Sequence, residues 1–132
     1  PDPLTSVVYG SWAELNPVTA KKMGVREGDI LELTSETGSI KVPAFIYEAI
    51  KPDVVAVPLG QGHAEYGRYA KARGVNALDI VSGQTDQKSG ALASAATRVK
   101  VSRTGERKMI VKTDGVTRTL GRQILGPDSA HA

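Results

Sequence analysis

Apolar and polar positions fall into order from the first ten residues onward, and the period changes along the chain. Residues 6–9, Ser-Val-Val-Tyr, read as a short strand that ends near Trp12. At 16–24 the signals turn helical. Asn16 suits an N-cap, and Pro17 suits the first helical position, where its missing N–H costs nothing. Gly24 suits the left-handed residue after the last turn. A helix this short has to be held by packing, because in isolation it is unstable in water. The period then switches to two. Strands are predicted over 29–34 and 39–47, joined by the turn Ser-Glu-Thr-Gly at 35–38. Ile40, Val42, Ala44 and Ile46 share one face of the second strand. Pro43 has no N–H, which predicts an edge strand or the end of a ladder at that point.

Residues 51–53 turn the chain, and the continuous apolar run at 54–59 predicts a strand covered on both faces. Residues 64–73 fit a short helix with Tyr66, Tyr69 or Ala70, and Arg73 on one side. Gly67 would weaken it by ~1 kcal/mol relative to Ala. A strand is predicted over 78–81, a loop over 82–90, and another strand over 95–103, with Val99 and Val101 inward and Arg98 and Lys100 outward. Asp114-Gly115 signals a hairpin turn, and the last residues are expected to fray. Six or seven short strands with one or two small helices predict a mainly β fold, closed into a barrel rather than left as an open sheet.

Composition narrows the class. The 132 residues amount to one domain with a real core. Hydrophobic residues at 40% and charged residues at 23% are ordinary globular usage. No run of about 18 apolar residues occurs, so no helical span is expected, and no signal peptide is seen. The chain begins Pro1-Asp2-Pro3 without Met, and a piece of a longer protein is expected. It has no cysteine, which excludes disulfides, thiolate zinc sites and cysteine-bound iron–sulfur clusters within it. Net charge is +3, divided as −3 over residues 1–59 and +6 over 60–132. A basic half suits an anionic partner, or simply a soluble surface.

The basic half opens on GQGHAEYGRYAKARGVN, residues 60–76, which holds four of the 14 glycines, two of the four tyrosines and one of the two histidines. Glycines let a backbone approach phosphate oxygens, and arginines are planar charged donors. A glycine cluster after a strand is also an ordinary turn. No Ser/His/acid set or His/Asp/Glu metal cluster stands out.

The segment WAELNPVTAKKMGVREGDILELTSETGSIKVPA, followed in order by KPDVVAVPLGQGH, GVNALDI and DQKSGALASAATRVKV, resembles the C-terminal molybdopterin dinucleotide-binding domain of the dimethyl sulfoxide reductase family. The likeness covers roughly residues 4–103. It is nearest to the polysulfide/thiosulfate reductase-like subgroup, which includes the molybdopterin-like subunit of alternative complex III. It implies a double-psi β-barrel over residues 1–103, leaving a hairpin extension at 104–126 and a tail at 127–132. The implied cofactor is bis(molybdopterin guanine dinucleotide) with molybdenum in the full-length parent. The implied function is that of a cofactor-binding domain in a large oxidoreductase, moving electrons to or from a small inorganic, sulfur-type substrate. Its partners would be the parent's other domains and an iron–sulfur electron-transfer subunit, with no nucleic acid and no direct membrane insertion. The location implied is periplasmic, or on the outer side of a membrane. Two alternatives stay open: a cofactor-free structural homologue in a respiratory complex, and a stand-alone β-barrel binding module.

Under that resemblance the expected cofactor contacts are Gly60, Gly62, His63, Tyr66, Gly67, Arg68 and Asn76, with Arg73 a further possibility. Gly60, Gly62 and Gly67 with Arg68 would cradle the diphosphate. Asn76, at the family's Asn-x-Leu position, would read the pterin edge with its amide. His63 would donate to cofactor or water, and Tyr66 would pack on a ring. Each has a structural counterpart: Asn76 as a cap for the Leu78 segment, His63 bonded to nearby backbone, and Arg68 and Arg73 solvated or paired with Glu65. Asp86 and Ser89 lie in the later family loop, which also reads as a plain turn. Gly10-Ser11 and Gly38-Ser39 match the self-cleavage dipeptide of aspartate decarboxylase, a barrel of the same topology, but fold analogy alone carries little.

Overall fold

The computed structural model describes residues 10–111. The strand expected at 6–9, the hairpin turn at 114–115 and the tail at 127–132 lie outside the described residues. The described elements run in the order β1 (Ala13–Leu15), α1 (Pro17–Met23), β2 (Asp29–Thr34), β3 (Ser39–Ile46), β4 (Val55–Ala56), 3-10 turns at Ala77–Ile80 and Ser94–Ala96, and β5 (Lys100–Arg107). The fold is mainly β, as the sequence predicts.

Helix α1 forms for the reasons legible in its ends. The Asn16 side chain accepts from the Val18 N–H at 2.9 Å. Gly24 closes the last turn at φ +66°. Asn16 does more than cap. Its Nδ2 donates to the Ile50 carbonyl at 2.7 Å, tying the helix start to the loop after β3. Asn16→Ala removes both contacts at a buried position and is expected to destabilise the chain by ~2 kcal/mol, read from the urea unfolding midpoint. A loss below ~0.5 kcal/mol would show that neither bond matters.

The strands assemble in the order β4-β1-β3-β2-β5. β1 and β3 are parallel, and the other pairs are antiparallel. Leu31 faces Val42 and Leu33 faces Ile40 across the β2–β3 ladder. These four with Leu15, Ala13, Ala44 and Ile80 make the core. The alternation read from the sequence therefore carries the burial.

Pro43 decides where the sheet changes partner. β3 is an inner strand, so an edge position is excluded. The other expectation holds: Ile30↔Pro43 is the last pair toward β2, and Ala13↔Ala44 is the first pair toward β1. A residue without an N–H falls where one ladder hands over to the next.

Four sequence expectations need correction. The apolar run at 54–59 gives only the two-residue β4, and it is not covered on both faces. Among the described residues β4 is an end strand, paired with β1 alone, and Leu59 stays 64% exposed. Residues 64–73 form turns instead of a helix. Gly67 takes φ +81° and Ala72 takes φ +56°, both incompatible with helical backbone. The segment at 78–81 is a 3-10 turn, because Asn76 caps Leu78 and starts a helical bond pattern. The strand expected from 95 begins at Lys100, after the 3-10 turn Ser94–Ala96, and continues to Arg107.

Candidate functional site

The glycine-rich segment is a closed loop with a narrow neck. At the neck Gly62 N–H donates to the Arg73 carbonyl at 2.8 Å, and Ala72 N–H donates to the His63 carbonyl at 3.0 Å. The neck is held to the sheet by Ser11. Its Oγ accepts from Val75 N–H at 2.9 Å and donates to the Val75 carbonyl at 3.2 Å. Sequence reasoning gave Ser11 no such role, since its partner lies 64 positions away. Its double bonding to backbone is a structural use, with no sign of self-cleavage chemistry.

The glycines divide into two kinds. A side chain on Gly62, at φ +83°, would overlap the backbone of Val75 and Asn76. Gly62 is therefore required by the neck itself. Gly60 at φ +92° and Gly67 at φ +81° have no atom within 4 Å of where a Cβ would stand. Within the loop, these two leave backbone open to an approaching group.

The side chains of the loop project into solvent around Ala70, its one buried residue. His63 stacks on Tyr66 with centroids 5.0 Å apart, and Tyr66 is 79% exposed. Arg68 donates through Nη2 to the Tyr69 hydroxyl at 3.0 Å, with its guanidinium carbon 4.9 Å from the Tyr69 ring centre. Glu65 pairs with Lys71 at 2.7 Å, not with Arg68 or Arg73. Asn76 serves as the N-cap of the 3-10 turn: its Oδ1 accepts from Leu78 N–H at 3.2 Å. Its Nδ2 donates to Asp79 Oδ1 at 2.8 Å. One Nδ2 hydrogen and one Oδ1 lone pair remain for a further partner. His63, Tyr66, Gly67 and Arg68 thus share the loop crown, while Gly62 and Asn76 meet at its neck.

The later loop closes on itself. Asp86 Oδ1 accepts from Ser89 N–H at 2.7 Å, Ser89 Oγ at 2.9 Å and Lys88 N–H at 3.1 Å. These bonds, the Ser89 backbone bond first, hold the Asp86 carboxyl below the ordinary aspartate range. A depressed folded value means the stabilisation is present above the unfolded value and is lost as pH falls through the folded one. The Asp86 carboxyl is expected to titrate below an unperturbed aspartate, read from its carbon chemical shift. A midpoint at or above that of an unperturbed aspartate would show the turn bonds are not made in solution.

An apolar groove lies beside these loops. Leu33, Val55, Val57, Ile80, Val81 and Val99 contribute to its walls. Among the described residues no cluster of three or more His, Asp or Glu side chains is placed to hold a metal ion, and no helix is long and apolar enough to cross a membrane.

The model of the Molydopterin dinucleotide binding domain matches residues 3–98. The chain belongs to the molybdopterin dinucleotide-binding domain family. Its glycine-rich loop and the Asp86 turn both lie inside the matched region of that family. The chain is 39% identical over 87 residues to the arsenate respiratory reductase molybdopterin-containing subunit of Shewanella sp. (strain ANA-3), covering 61% of this chain and 10% of that protein. It is 34% identical over 76 residues to the menaquinone reductase molybdopterin-binding-like subunit of Nitratidesulfovibrio vulgaris, covering 58% and 11%. It is 30% identical over 59 residues to the tetrathionate reductase of Archaeoglobus fulgidus, covering 45% and 5%. The chain thus spans about a tenth of the length of the first of these relatives.

Proposed function

We propose that this domain holds one end of a molybdopterin guanine dinucleotide within a larger molybdenum oxidoreductase. The observation that carries this reading is the open backbone at Gly60 and at Gly67 within the family-matched segment. Both have positive φ and empty space where a side chain would stand, and Gly67 lies between the exposed Tyr66 and Arg68. Such a cradle suits a diphosphate: backbone N–H groups come close, and Arg68 adds a charged fork. The remaining amide hydrogen and lone pair of Asn76 suit a heterocycle edge that offers an acceptor beside a donor. The exposed face of Tyr66, already stacked against His63, suits a planar ring. The cofactor, when bound, supplies the redox centre. The residues of this chain bind, orient and cover it, and none of them is assigned a chemical step.

The relatives named for arsenate and tetrathionate reduction support a small inorganic compound as the substrate of the parent. An iron–sulfur protein would carry the electrons, and the outer side of a membrane would be the location. A second reading has its own support. One relative is named a molybdopterin-binding-like subunit, so a homologue in which the domain is purely structural stays in play. Metal analysis of the purified full-length parent separates the two, with nucleotide released by acid hydrolysis measured alongside. Molybdenum and guanine nucleotide in stoichiometric amounts support the first reading, and a parent with neither supports the second. In the loaded enzyme, Arg68→Gln is expected to raise the rate of cofactor loss on dilution about tenfold, as befits one charge-assisted bond to phosphate. Retention equal to that of the unaltered enzyme would remove Arg68 from the site.

A further inference from the structure

A second group of arginines lies outside the glycine-rich loop and the neck. Arg26, Arg103 and Arg107 line a hollow of about 270 Å³ between the end of α1 and β5, together with Gly24, Asp29 and Gly105. None of these six belongs to residues 60–76, so the hollow shares no residue with the proposed cofactor site.

Two of the arginines are aimed by backbone. Arg103 donates through Nη1 to the carbonyl of Gly24, the residue that caps α1. Arg107 donates through Nη2 to the Glu27 carbonyl at 3.0 Å. Among the described residues Asp29 is the one carboxylate in the lining, and both of its oxygens are engaged. Oδ1 meets Arg107 Nε at 3.1 Å, and Oδ2 accepts from the Arg26 backbone N–H at 2.8 Å. The Arg26 guanidinium makes no hydrogen bond or ion pair among the described residues. Among the described lining residues, three cations against one anion leave two unbalanced positive charges.

Each guanidinium carries five N–H donors. Arg103 uses one of them and Arg107 two in the contacts above, so fixed donors remain. Gly105 adds no side chain, and no atom lies within 4 Å of where one would begin. Like charges held together around an open space repel, and a doubly charged oxyanion removes that repulsion while satisfying the planar forks.

We propose that this hollow is an oxyanion site for a phosphate-type dianion. The test uses the arginine Nε–H signals of the full 132-residue chain, titrated with inorganic phosphate at ionic strength held constant with sodium chloride. Saturable shifts at Arg103 and Arg107 are expected. Arg26→Gln is expected to weaken phosphate binding about tenfold, the loss of one charge-assisted contact, with the unfolding midpoint unchanged. Phosphoserine in place of inorganic phosphate distinguishes sources. Tighter binding of the ester points to a phosphoryl group on a larger molecule, and tighter binding of the free ion points to the ion itself. Shifts that match a chloride titration, phosphate affinity unaltered in Arg26→Gln, or acetate bound as tightly as phosphate would each overturn the assignment.

Discussion

Replacing Gly62 with alanine is expected to destabilise the chain by at least ~3 kcal/mol, more than the addition of a single methyl group would suggest. Two penalties act together. Its backbone sits at φ +83°, where an L side chain is strained, and the new methyl would overlap the backbone of Val75 and Asn76. Neither neighbour yields easily. Val75 is bonded through both its N–H and its carbonyl to Ser11, and Asn76 caps the next turn. Urea unfolding measures the loss. Gly67→Ala is the internal control: it has a similar φ of +81° but no atom within 4 Å. That variant is expected to lose only ~1 kcal/mol, the strain alone. If the two variants unfold at the same midpoint, the close packing at the neck is not present in solution.

Leu31→Ala is expected to have an effect of similar size, ~3–4 kcal/mol, for a different reason. Leu31 is fully buried on β2, which is bonded on both sides, facing Val42 on β3 and Arg103 on β5. Truncation leaves a cavity walled by hydrogen-bonded backbone, which cannot collapse to fill it. Total stabilities of ~5–15 kcal/mol mean that such a loss removes a large share of the folding free energy. Leu59→Ala provides the contrast, because Leu59 is 64% exposed and its truncation is expected to fall within ~0.5 kcal/mol. A small loss at Leu31 measured by calorimetry would place the core elsewhere.

The local signals proved reliable where chemistry acts over a few residues. Asn16, Pro17 and Gly24 bound α1 as their capping preferences require. The alternation at 29–34 and 39–47 placed Leu31, Leu33, Ile40 and Val42 inward. The glycine-rich stretch was visible as an anomaly, but its internal division was not. Nothing in the string GQGHAEYGRYAKARGVN separates Gly62, pressed on Val75 and Asn76, from Gly67, which faces open space. The arginine hollow was equally hidden, since Arg26 and Arg103 meet only when α1 and β5 are brought side by side.

The chain by itself thus determined its mainly β character, the short helix α1, its buried strand face and its family, because caps, alternation and ordered motifs all act within short stretches of sequence. Tertiary structure alone decided which of the two sequence readings of Pro43 applies, the end of one ladder within an inner strand, and that residues 64–73 are turns. It also decided that Ser11 locks the loop neck from 64 positions away. These outcomes depend on which distant backbone groups remain to be paired once the sheet has formed, and no local pattern encodes that.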